Sequence, residues 1–357
     1  MDLRALQAAF GGKRVFLTGH TGFKGSWLAF ILAEAGADVM GYALPPMAGP
    51  SHFTLLRLTT RMRHTEGDIR DREALCRAME TFRPEFVFHL AAQALVKASY
   101  RDPVVTFDTN VMGSVHLLEA VRRSASVRSL VYVTSDKCYE NVEWVWGYRE
   151  VDRLGGHDPY SASKAAAEVV YAAYASSFFA ERPELGAATA RAGNVIGGGD
   201  WAEDRIVPDC VRASAVNGAI QLRRPEATRP WQHVLEPLSG YLLLAARLRE
   251  APERYAGAWN FGPPSSEVRT VHDVASALMA HLGRGTVEIL GTPPAVHEAN
   301  LLQLNCDKAH QLLPWYPRWH VDKALNATAE WYRATRDGTD AATMSRTQIA
   351  DYFGSTQ

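Results

Sequence analysis

Lys13-Arg14-Val15-Phe16-Leu17-Thr18-Gly19-His20-Thr21-Gly22-Phe23-Lys24-Gly25 decides the fold of this chain. A short β-branched and aromatic run ends at Thr18, and three glycines follow at GxxGxxG spacing before an apolar run from Phe23. A strand, a glycine-rich turn and a helix in that order make a dinucleotide-binding pattern. The glycines allow a tight turn and close backbone approach, and the helix N-terminus attracts a pyrophosphate. The helix is expected over residues 23–35, closed by Gly36.

Working outward, strands are expected at 38–43, 63–67, 86–90, 129–134 and 186–191. Helical patterns separate them at 73–82, 102–123 and 158–180. Parallel neighbours need crossover connections, so this alternation predicts a doubly wound parallel sheet. Beyond about residue 195 the rhythm loosens. Gly197-Gly198-Gly199 opens a loop, helices are expected at 206–217, 235–249, 271–282 and 308–313, and short strands near Ile220 and Ala258. The fold class is α/β: a Rossmann-type doubly wound parallel sheet with a smaller mixed α/β C-terminal substrate lobe. The division is 1–195 for the dinucleotide-binding domain, with later segments free to return to the sheet, 196–336 for the substrate lobe and 337–357 for a tail. Residues 291–300 read as an ordered loop. The tail either lacks order in part or covers a neighbouring surface.

Composition excludes several classes. Of the 357 residues 47% are hydrophobic and the formal net charge is −1, which argues against disorder and a nucleic-acid footprint. Cys76, Cys138, Cys210 and Cys306 are scattered without a CxxC pair, so no disulfide framework or zinc site is expected, in keeping with a reducing cytoplasm. The histidines show no metal-ligand spacing, and no metal is expected. Neither a signal peptide nor a membrane-spanning run is read near the N-terminus.

Two clusters carry chemistry. Tyr160 and Lys164 lie four residues apart, on one face of a helix, where an ammonium beneath the phenol is expected to lower its pKa and make Tyr160 a base for a sugar hydroxyl. Ser135-Asp136-Lys137 adds a hydroxyl, a carboxylic acid and an amine beside the same centre. Oxidation alone does not need an added acid, so the pair points to elimination. Only seven of the 38 basic residues are lysine, and two of them fall in these clusters. Lysine, unlike arginine, can give up a proton.

The candidate cofactor residues are Gly19, Thr21, Gly22, Phe23, Lys24 and Gly25 in the turn, Asp68 and Ile69 after the third strand, and Leu90, Ala91, Ala92 and Gln93 after the fourth, with Tyr160 and Lys164. An acidic residue is missing where the second strand ends: Gly41-Tyr42-Ala43-Leu44 has no carboxylate for an adenine ribose and no arginine for a 2′-phosphate. NAD is the expected cofactor, with modest affinity.

On these residues the chain resembles the extended short-chain dehydrogenases/reductases that act on nucleotide sugars. More narrowly, residues 19–28 (GHTGFKGSWL), 134–141 (TSDKCYEN), 158–168 (DPYSASKAAAE), 191–209 (RAGNVIGGGDWAEDRIVPD) and 229–241 (RPWQHVLEPLSGY) resemble the CDP-glucose 4,6-dehydratases. The resemblance implies a redox-neutral reaction of CDP-glucose, in which Tyr160, with Ser135 and Lys164, takes the 4-hydroxyl proton while carbon 4 gives hydride to NAD. Asp136 then protonates the leaving 6-hydroxyl, and the hydride returns to carbon 6. Lys137 stands where related dTDP-glucose and GDP-mannose dehydratases carry glutamate. It is open to two roles: a neutral amine that takes the carbon 5 proton, or an ammonium that stabilises the enolate. Asn194, Arg205 and Arg229 fall in segments that resemble the nucleotide-sugar region of the family. Gln93 and Lys97 follow the fourth strand toward the nicotinamide ribose or sugar, Gln93 and Ser135 are further candidates for binding substrate, and Trp144 and Trp146 either wall the sugar site or pack in the core or a dimer interface.

A homodimer, or a dimer of dimers, is expected to pair the two long helices at 102–123 and 158–180 into a four-helix interface. The rivals are a nucleotide-sugar 4-epimerase, which needs no acid for water loss, a non-enzymatic dinucleotide sensor, and an NADPH reductase.

Overall fold

The computed structural model describes residues 1–290 and 301–354, so the loop expected at 291–300 lies outside the described residues. The strand at the glycine-rich turn, β1 (Arg14–Thr18), is an inner strand of a seven-stranded sheet. The others are β2 (Asp38–Ala43), β3 (Arg63–Glu66), β4 (Phe86–His89), β5 (Ser129–Val133), β6 (Gly186–Ala192) and β7 (Gly257–Phe261), in the order β7-β6-β5-β4-β1-β2-β3. Every pair in it is parallel. β4, β5 and β6 are buried at every position, because helices cover both faces. The strand order reverses beside β1, where β1 pairs β2 on one side and β4 on the other, and at that switch point the carboxyl ends of the strands open a crevice.

One expectation is corrected. The strand near Ala258 was placed with the short strands of the smaller lobe, but β7 pairs β6 in register from Gly257↔Ala188 to Phe261↔Ala192 and closes the main sheet. The helix Leu235–Glu250 returns with it and packs on β5 and β6. A Cβ on Gly186 would stand 2.4 Å from Leu248 O, so glycine there admits the helix backbone. What remains apart from the sheet is the helix Ile206–Ala215, the parallel pair Ala219–Leu222 with Thr286–Ile289, and the helix Val271–Leu282.

Residues 337–354 are an ordered part of the fold. The helix Ala341–Gly354 buries Tyr352 and Phe353 against the helices Val321–Arg336 and Leu3–Phe10. Tyr352 Oη donates to Glu236 Oε2 at 2.6 Å, and the same carboxylate accepts from the backbone N–H groups of Arg318 and Trp319.

Both long helices start on an aspartate cap followed by proline. Asp102 accepts from Val105 N at 2.9 Å and Asp158 from Ser161 N at 2.9 Å. Each also carries a π-turn, at Asp108–Met112 and Ala175–Phe179. The first of these bears on the site.

Candidate active site

The glycine-rich turn is built for close approach. Gly19 has φ 78°, and a Cβ there would stand 2.7 Å from Ala91 N; a Cβ on Gly25 would stand 2.1 Å from Gly19 O. Thr18 Oγ1 accepts from the backbone N–H groups of Leu90 and Ala91, both at 3.2 Å, and so ties the ends of β1 and β4 together. The helix Phe23–Glu34 points its N-terminus into the crevice. This cradle, with Asp68, Ile69, Leu90, Ala91 and Ala92 on its walls, fits a dinucleotide. At the end of β2 no carboxylate appears. Gly41 there makes room for the His20 ring, which a Cβ would meet at 2.4 Å.

One cleft of about 1460 Å³ runs from this cradle to the C-terminal elements. All the candidate residues line it: the turn, Gln93, Ser135, Asp136, Lys137, Tyr160, Lys164, Asn194, Arg205 and Arg229. Trp144 and Trp146 do not. Trp144 packs on Tyr148, with ring centroids 5.2 Å apart, and Trp146 is mostly exposed.

Ser135 and Asp136 follow β5 directly. Ser135 Oγ donates to Asp136 Oδ1 at 2.9 Å and accepts from Lys137 N at 3.2 Å, which fixes the single turn Asp136–Cys138. Asp136 is buried, and among the described residues its Oδ2 has no hydrogen-bond partner. Gly193 leaves room for that oxygen, since a Cβ would stand 2.9 Å from it. Burial raises the Asp136 pKa, against the pull of Lys137, the Ser135 hydroxyl and Arg229.

The tyrosine departs from expectation. Burial pushes the Tyr160 phenol up to about 12 and Asp136 raises it further, while the Ser135 hydroxyl and Arg205 lower it. Burial likewise lowers Lys164 to about 8. Both residues lie in the helix Pro159–Tyr174, but desolvation dominates both groups, and the lowering of the phenol that was expected from Lys164 is not seen. A third lysine joins them. Lys24, half-buried, is lowered to about 8 by burial and then by Arg205 and Lys164, and its Nζ donates to Tyr241 Oη at 3.5 Å.

Several candidates have protein partners. Asp68 accepts from Arg70 Nη2 at 2.6 Å, Arg205 donates to Asp200 Oδ2 at 3.1 Å, and Lys97 to Asp204. Gln93 Nε2 donates to Thr106 Oγ1 at 3.0 Å and its Oε1 accepts from Leu95 N at 2.6 Å, so both ends of the amide already serve the loop after β4.

Residues missed in the sequence hold this centre. Asn110, in the π-turn, accepts from Gln93 N at 2.8 Å and donates to Gln93 O and Ser163 Oγ, so it joins the loop after β4 to the tyrosine's helix. The signal was a lone asparagine inside an apolar helical pattern. Glu168, one turn beyond Lys164, accepts from Thr134, Thr189 and, at 3.0 and 2.8 Å, Arg191. Arg191 goes on to Tyr139 Oη at 2.8 Å. Both partners of this ion pair are only 3% exposed. Arg191→Ala is therefore expected to cost roughly 3–5 kcal/mol, because it leaves a buried carboxylate uncompensated. Chemical denaturation of the two proteins measures it, and a loss under about 1 kcal/mol would contradict this reading.

With this geometry in hand, comparison with known proteins is direct. Residues 16–328 match the GDP-mannose 4,6 dehydratase family. The chain belongs to that family. A CDP-glucose 4,6-dehydratase of Salmonella typhimurium is 48% identical to it over 349 residues, which cover 97% of each chain. A UDP-glucose 4-epimerase of Lacticaseibacillus casei is 25% identical over 91% of this chain and 98% of its own. Among solved structures, the dTDP-glucose 4,6-dehydratase of Streptomyces venezuelae, with NAD bound, superposes with a TM-score of 0.78 at 25% identity, covering 92% of this chain and 99% of that one. This chain is thus similar, over most of its length, both to dehydratases and to an epimerase.

Proposed function

We propose that this chain is an NAD-dependent CDP-glucose 4,6-dehydratase, a hydro-lyase that converts CDP-D-glucose to CDP-4-keto-6-deoxy-D-glucose and water. The observation that carries the reading is Asp136. A carboxyl buried beside Ser135 and Tyr160, with one oxygen unpartnered among the described residues and its pKa raised, is a proton donor held ready for a leaving hydroxyl. An epimerase has no use for it. The Salmonella typhimurium relative supports CDP as the nucleotide.

The glycine-rich turn, with Asp68, Ile69, Leu90, Ala91 and Ala92, would hold NAD, which would supply the hydride exchange between carbon 4 and carbon 6. The protein moves the protons. Tyr160 takes the 4-hydroxyl proton with Ser135 orienting the oxygen, and the new ketone acidifies the carbon 5 hydrogen. Lys137 takes the carbon 5 proton as base, or stabilises the enolate as ammonium while Tyr160 or water takes that proton. Asp136 protonates the 6-hydroxyl, water leaves, and a proton returns to carbon 5 as carbon 6 receives the hydride. Asn194, Arg205 and Arg229 hold the nucleotide diphosphate.

Purified protein incubated with CDP-glucose, with and without added NAD, is expected to give a product lighter by one water without accumulation of NADH. Unchanged CDP-glucose would reject this substrate, and an isomer of equal mass would select epimerisation.

The active form is a homodimer, or a dimer of dimers. Val104, Phe107, Met112, Val169 and Phe178 leave an apolar face exposed on the helix pair that precedes β5 and β6. Sedimentation at micromolar concentration is expected to show a dimer that Val104→Lys with Val169→Lys dissociates; a monomeric wild type would sink the assignment. The place of action is the cytoplasm. In support, all four cysteines are free and buried, and no helix among the described residues is long and apolar enough to cross a membrane.

A further inference from the structure

The mouth of the cleft carries more positive charge than the catalytic centre uses. Arg223 lines it from the C-terminal elements, Arg212 beside it is taken up by Asp209, and Lys97 faces Arg223 from the helix Val96–Arg101. Between them stands Asp204. Its Oδ1 accepts from the Lys97 ammonium and from Arg223 Nη2 at 3.3 Å. Asp204 has φ 61°, a left-handed backbone that few residues other than glycine, asparagine and aspartate accept. The turn that holds it runs straight into Arg205, the cap of the helix Ile206–Ala215, whose guanidinium acts on Tyr160 and Lys24.

The three side chains are each about two-fifths exposed, and ion pairs in that setting add little to stability. They exchange easily for a stronger anion. A diphosphate offers more charge and more oxygens than one carboxylate, and an arginine fork can bind two of them at once. We propose that Asp204 is an internal stand-in for the substrate's diphosphate, holding Lys97 and Arg223 in place and yielding them when that group enters. The inference deepens the proposed function and rests on its nucleotide-sugar substrate. It also makes Asp204 a specificity residue: a singly charged anion must displace a carboxylate of equal charge, whereas a diphosphate displaces it with charge to spare.

The test is calorimetric titration of the full-length protein with inorganic pyrophosphate and, separately, CDP at low salt. Asp204→Asn keeps the shape and tolerates the left-handed backbone, and is expected to bind both roughly two- to five-fold tighter than wild type. Lys97→Met is expected to weaken binding, and to shrink the gain from Asp204→Asn when the two are combined. Tighter pyrophosphate binding by Asp204→Asn supports the stand-in even if CDP-glucose is not the substrate. Unchanged or weaker pyrophosphate binding overturns it, even in a protein that dehydrates CDP-glucose. Pyrophosphate binding unaltered by Lys97→Met overturns it as well.

Discussion

Asp136→Asn is expected to lower product formation from CDP-glucose by roughly 10²- to 10⁴-fold while leaving oxidation at carbon 4 in place. Asparagine has the same shape, and the carboxyl it replaces is held toward its neutral form by burial, so the substitution changes little but the acidic proton. The Ser135 hydroxyl keeps an acceptor in the amide oxygen. Folding should be nearly unaffected, and reduced cofactor should build up on the protein because the cycle stops before water leaves. The sign of the pH dependence follows. Wild-type elimination is strongest where Asp136 is protonated, and falls as pH rises through its raised pKa. Asparagine has no such group, so its residual rate should lose that limb. Rapid-mixing absorbance of reduced cofactor, read beside product mass, measures both. Loss of cofactor reduction together with product would show that Asp136 serves the first step instead.

Tyr160→Phe is expected to remove oxidation itself, by a similar factor of roughly 10²–10⁴, with CDP binding unchanged within about two-fold. The phenol is buried and its resting pKa is near 12, so it does not wait as a phenolate. To act as base it must first give up that proton, so the minor phenolate form takes the 4-hydroxyl proton, with the Ser135 hydroxyl and the Arg205 charge as the features that favour the negative oxygen. A phenylalanine keeps the ring packing and loses only that transfer. The variant should therefore show neither reduced cofactor nor product, which separates it from Asp136→Asn. Partial turnover above about a tenth of wild type would move the base elsewhere.

The sequence made β1 to β6 readable for a physical reason. Parallel strands buried on both faces are continuous apolar runs, as β4 and β5 are, whereas the edge strand β3, RHTE, is polar and was placed by the alternation of elements around it. β7 was seen as a strand but not as part of the sheet, since GAWNF has nothing local that names its neighbour; pairing with β6 is a tertiary fact. Tyr160, Lys164 and Ser135-Asp136-Lys137 were readable from their spacing, and the structure places them in one cleft. Their protonation was not, because spacing reports distance and says nothing of how much water the fold removes. Asn110 and the Glu168–Arg191 pair escaped for a related reason: they hold the reacting groups through contacts between elements far apart in sequence.

The late return of the chain to its sheet constrains how the protein is made. When residues 1–192 have left the ribosome, β6 is an open edge with unmatched backbone groups, and the helix Leu235–Glu250 that covers it has yet to be synthesised. Nascent chains are thus exposed to edge-to-edge association until Gly257–Phe261 arrives. A protein cut near residue 195 would carry the whole glycine-rich turn and the whole tyrosine helix and still be a poor candidate for soluble expression, whereas a break in the connection between β6 and β7 that kept both pieces together would leave the sheet able to close.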